Sequence, residues 1–129
     1  MFGSVKNLFA KKSESHSSGT LLAVVDEAVF EKKLYLHHRL TVDELARAAG
    51  TNRTYLWSAL RSCGLSFKDY INRYRLAHFM HNLRYYRSEG LTVELMADES
   101  GFCSAKRLNS AMRRSFGMTV GEFIRRFPD

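Results

Sequence analysis

Along most of this chain apolar residues recur at i, i+3, i+4 and i+7, the spacing of helices that bury one face. Leu21, Leu22, Val25, Ala28 and Val29 predict a first amphipathic helix ending near Lys33, with "LYLHHRL" as the connection that follows. In "ARAAGTNRTYLWSALRSCG" (46–64) Gly50 and the polar Thr51-Asn52 pair end one helical pattern. Leu56, Ala59, Leu60 and Cys63 then form the inward stripe of another. Thr54, Trp57, Ser58 and Arg61 keep the same spacing on a different face, polar except for Trp57, the one tryptophan of the chain. Next, "SFKDYINRYRLAHFMHNLRYY" places Phe67, Tyr70, Ile71, Tyr74, Phe79, Met80 and Leu83 at helical spacing, over about 20 residues or ~30 Å of helix. The strict period assigns this aromatic stripe to a core rather than to a stacking platform.

From residue 41 the pattern repeats. "TVDELARAAG" (41–50) matches "TVELMADESG" (92–101), and "GLSFKDYI" (64–71) matches "GMTVGEFI" (117–124). The offset between copies grows from 51 at the first pair to 53 at the second, so the second copy carries two extra residues in its turn and following helix. Thr41-x-x-Glu44 and Thr119-x-x-Glu122 fit the capping box, and Ser66-x-x-Asp69 is a weaker version. A duplicated helix, glycine turn and helix is the helix-turn-helix pattern. Two copies of the wrong period do not make a tetratricopeptide solenoid.

In the second copy Leu108, Ala111 and Met112 take the inward stripe, and Lys106, Asn109, Ser110 and Arg113 take the polar one. Lysine and arginine can bond guanine edges or phosphates, and asparagine can pair bidentately with adenine. Acidic residues are absent from Leu45 to Lys68 and from Gly101 to Gly121, windows that hold Arg47, Arg53 and Arg61, then Lys106, Arg107, Arg113 and Arg114. A solvated helix face normally mixes signs, so two acid-free windows on equivalent helices carry more weight than net charge. Arg53, Arg61, Arg107 and Arg114 flank or end the stripes and are assigned to phosphates.

Composition agrees with this picture and narrows it. The 129 residues, 45% hydrophobic and 12% aromatic, suit one compact domain or two very small ones, and a single proline favours helices over a strand-rich sandwich. A net charge of +7 points to a polyanionic partner. Cys63 and Cys103 lack the paired spacing of a metal site or disulfide framework and read as reduced, partly buried thiols. The pairs His37-His38 and His78/His81 lack ligand companions. No apolar run reaches the length of a membrane span, and the start lacks a signal-peptide pattern. The Ser/His/Gly-rich residues 1–20 read as a flexible arm or linker.

"TNRTYLWSALRSCGLSFKDYINRYRL" and "GLTVELMADESGFCSAKRLNSAMRRSFGMTVGEFIRR" together resemble the DNA-binding domain of AraC/XylS-type transcription regulators, over roughly residues 21 to 127. Gly-Phe-x-Ser at 101–104 and Phe116-Gly117 are the most specific parts. The resemblance implies an all-α fold of seven helices: a first helix-turn-helix unit at about 21–66, a linking helix at about 66–86 and a second unit at about 91–127. It places the base-facing positions on Thr54, Trp57, Ser58, Lys106, Asn109, Ser110 and Arg113. Leu60 and Met112 stand where the family usually has phenylalanine, Phe79 replaces a customary alanine, and Val120 a customary proline.

The function so implied is sequence-specific transcription regulation, with two recognition helices in adjacent major grooves of double-stranded DNA. No cofactor is implied. The expected setting is the cytoplasm, with the chain bound as a monomer because both reading heads share one polypeptide, unless an absent domain dimerises it, and RNA polymerase is a candidate second partner. Two origins stay open, a stand-alone regulator or the reading end of a longer sensor. The alternative is a helical protein-interaction adaptor whose basic face meets another acidic partner. An enzyme has little support, since no nucleophile–base pair, phosphate loop or metal cluster is visible.

Overall fold

The computed structural model describes residues 17–128 of the chain. Most of the arm expected over residues 1–20 lies outside them, and the first helix already begins at Ser17. Seven α-helices make up the described residues, with no strand among them. They are α1 (Ser17–Glu31), α2 (Val42–Ala48), α3 (Arg53–Ser62), α4 (Phe67–Ser88), α5 (Val93–Glu99), α6 (Ala105–Phe116) and α7 (Val120–Arg126). A short 3-10 turn, Leu34–Leu36, lies within the "LYLHHRL" connection. Contacts divide the chain into two compact units, one up to Tyr74 and one from Arg75 on. The 22 residues of α4 run for about 33 Å at 1.5 Å per residue.

Helix starts follow the capping chemistry. The Thr41 hydroxyl accepts from Glu44 N–H while the Glu44 carboxylate accepts from Thr41 N–H, a complete capping box on α2. Thr119 and Glu122 repeat it on α7. At α4 the Ser66 hydroxyl accepts from Asp69 N–H. Asn52 caps α3, Thr92 caps α5 and Ser104 caps α6, each accepting from a backbone N–H of the first turn. Such bonds satisfy donors that the helix itself leaves unpaired.

The core of the first unit joins Leu22, Val25 and Val29 of α1 to Leu45 and Ala46 of α2, Leu56, Ala59 and Leu60 of α3, and Tyr70, Ile71 and Tyr74 of α4. Tyr74 stacks on Tyr35 with ring centroids 5.7 Å apart and meets Tyr70 edge-on at 5.5 Å. Burial, then the negative charge of Asp26, pushes the Tyr70 phenol well above its usual range. The second unit packs Leu76, Phe79, Leu83 and Tyr86 of α4 with Met96 and Ala97 of α5, Phe102, Leu108, Ala111 and Met112, and Val120 of α7. The aromatic stripe of the linking helix is thus core in both units.

The two helix-turn-helix turns close in the same way. Thr51 N–H donates to the Ala46 carbonyl at 2.8 Å, and Phe102 N–H donates to the Ala97 carbonyl at 2.9 Å. Ala46 and Ala97 are fully buried. The copies diverge just after: α3 has 10 residues and α6 has 12.

Candidate nucleic-acid interface

Burial of one stripe dictates what the other presents. Leu56, Ala59 and Leu60 fix α3 to its core, and Thr54, Trp57, Ser58 and Arg61 all lie exposed on the remaining surface. Leu108, Ala111 and Met112 do the same for α6, leaving Lys106, Arg107, Ser110, Arg113 and Arg114 exposed. Trp57 is 47% exposed, so the indole lies outside the hydrophobic core.

Asn109 differs from its stripe-mates. It is half-buried, and its side-chain carbonyl accepts from the backbone N–H of Val120, the first residue of α7, at 2.9 Å. Bidentate pairing with adenine needs the carbonyl and the amide together. The adenine contact expected of Asn109 would have to share this carbonyl, which also joins α6 to the start of α7.

Arg53 is also engaged. Its Nε donates to Asp43 Oδ1 at 2.8 Å, and a second guanidinium nitrogen reaches Asp43 Oδ2, a bidentate pair between α2 and α3. The same guanidinium lies 5.7 Å from the Trp57 ring centroid, a cation–π distance. The hydrogen bond from Arg53, then the charges of Arg53 and Arg47, holds the Asp43 carboxyl below the usual carboxylate range. Arg53 is held above its own ordinary value by the same contact.

The acid-free window that begins at Leu45 in sequence is thus not acid-free in space, because α2 brings Asp43 to the start of α3. Sequence reasoning missed Asp43. Its partner lies 10 residues away across a turn, beyond any helical period. In the second unit Arg75 is half-buried and lies 6.0 Å from the Phe102 ring centroid. Burial lowers its pKa, with the nearby Cys103 acting in the opposite sense. Arg75 reads as a packed cation rather than one offered to a ligand.

Neither Cys63 nor Cys103 forms a disulfide, and the first is half-buried and the second exposed, where both were expected to be partly buried. Among the described residues no three His, Cys, Asp or Glu side chains converge as a metal site would require. No described helix is long and apolar enough to cross a membrane.

Against known proteins, residues 45–126 match the family model of a helix-turn-helix domain of AraC type. No curated protein and no solved structure matches the chain. The match runs from within α2 to the last residue of α7, so it spans α3, α4 and α6.

Proposed function

From a chain that belongs to the AraC-type helix-turn-helix family, a family of DNA-binding regulators rather than of enzymes, we propose a sequence-specific regulator that inserts α3 and α6 into adjacent major grooves. One observation carries the reading. Both helices are pinned by an apolar stripe and present an exposed polar and cationic stripe at equivalent positions. The ~33 Å length of α4 compares with the ~34–36 Å between successive major-groove faces on one side of B-DNA.

Thr54, Trp57, Ser58, Lys106, Ser110 and Arg113 are assigned to base edges, with Asn109 as the residue that positions α7 against α6. Arg61, Arg107 and Arg114 are assigned to phosphates, and Arg53 reaches one only by leaving or sharing its pair with Asp43. The double helix-turn-helix domain, expected over residues 21–129, is taken to begin with α1 at Ser17. With both heads on one chain, the proposed complex holds one protein per site unless a further domain dimerises it, and its proposed setting is the cytoplasm.

The test is selection of bound duplexes from a randomised pool, followed by footprinting. Two protected segments about 10 bp apart on one face of the duplex are expected. Protection of a single short segment would show that one unit is structural only. Salt-sensitive binding without sequence preference would instead support an adaptor that uses its basic face on other acidic partners.

A further inference from the structure

Arg53 is the first residue of α3, and that helix has no acidic residue in its first turn. The positive end of a helix dipole is an unfavourable place for a cation. Asp43, near the start of α2, supplies the missing charge from outside. Both side chains remain about half exposed, 53% for Arg53 and 46% for Asp43. An ion pair so exposed contributes little to folding stability. What a two-pronged carboxylate contact does fix is the plane and direction of a guanidinium. Here the fixed direction lies over Trp57.

We infer that Asp43 is a specificity-determining positioning residue of the first recognition helix. By holding Arg53 over Trp57 it withholds one cation from the phosphates and fixes the indole for contact with bases. The inference rests on the proposed DNA-reading function of α3 and adds a residue that touches no base itself. A cation free to meet phosphate strengthens binding to every sequence alike, whereas an indole held in one orientation strengthens binding only where the base edge fits it. Asp43 shifts the first head from the former towards the latter.

The test uses the full chain, a selected duplex and a random duplex, each titrated over a range of salt, together with quenching of Trp57 emission by a neutral quencher. D43N releases Arg53. Its affinity for the random duplex should rise about 3- to 10-fold at low salt, with the salt slope steeper by about 0.9, the value for one more phosphate. Discrimination between the duplexes should fall, and Trp57 in the free protein should become easier to quench.

R53M breaks the same pair without liberating a cation. It should raise quenching but not random-duplex affinity, and D43E should restore discrimination in part. A D43N protein with unchanged random-duplex affinity, slope and quenching overturns the inference. So does equal loss on both duplexes in a variant whose melting temperature is normal. A wild-type chain that does not discriminate between the duplexes overturns the proposed function as well, whereas discrimination that D43N leaves unmoved overturns only the role of Asp43.

Discussion

The side-chain carbonyl of Asn109 accepts the backbone N–H of Val120, 11 residues further on, at 2.9 Å. Val120 is fully buried and opens α7, a position where its N–H would otherwise have no intrahelical partner. The AraC/XylS-type pattern customarily has proline here, which has no N–H to satisfy and suits the first turn of a helix. Valine at 120 creates a donor, and Asn109 meets it.

Asn109→Ala should therefore destabilise the fold by about 1–3 kcal/mol, the cost of stranding a buried donor. DNA binding should weaken equally on all duplexes. V120P should keep the fold, free the Asn109 side chain and alter base preference at the position that Asn109 faces. Denaturant melts of both variants and a repeated duplex selection with V120P check this. Sequence-selective loss in N109A at unchanged stability would return Asn109 to the reading set.

Trp57 gives a second expectation. Its 47% exposure implies red-shifted emission open to a quencher in the free protein, with protection appearing on the selected duplex. Trp57→Ala should change the melting temperature little while costing about 1–3 kcal/mol of specific binding. Loss of several kcal/mol of stability, as for a large-to-small core substitution, would place the indole in the core instead.

The glycines separate backbone strain from crowding. Gly117 closes α6 at φ +71°, with open space where a Cβ would go. Gly117→Ala should thus cost about 1–2 kcal/mol through the left-handed conformation alone. Gly121 lies within α7, where an added Cβ would meet the Arg125 guanidinium at an ordinary 3.6 Å. Gly121→Ala should be neutral or stabilise by up to about 1 kcal/mol. Paired thermal melts test the opposite signs.

Acid should loosen the capping boxes. Hydrogen bonds from Thr41 and Thr119 lower the pKa values of Glu44 and Glu122 below their ordinary 4.5. A carboxyl with a depressed folded pKa contributes stability that is complete above the ordinary value and is lost as pH falls through the folded one. E44Q and E122Q should accordingly melt lower than the wild type near neutral pH and converge with it in acid. A difference that persists unchanged in acid would show that the carboxylate charge is not what counts.

What the sequence discloses here is what depends on local period. The inward stripes of α3 and α6, the capping boxes and the burial of Tyr70, Tyr74 and Phe79 all follow from neighbours three or four residues away. Asn109 and Asp43 were illegible for the complementary reason, since their partners lie 11 and 10 residues off, across turns. A position on a polar stripe says that a side chain faces away from its own helix's core. It does not say what the next helix offers it. The start of α1 was misplaced because Ser17–Thr20 have the composition of a linker yet continue the helix.

The unequal lengths of α3 and α6, 10 and 12 residues, bear on the DNA as much as on the protein. Two more residues extend a helix by about 3 Å, close to the 3.4 Å rise of one base step along a strand. If both read DNA as proposed, the two helices are not interchangeable, in length as well as in side chains. A dimer of identical subunits reads a palindrome and is indifferent to its orientation. On the proposed function, a single chain with a short head and a long one would impose a direction, and inverting its site would turn the bound protein around.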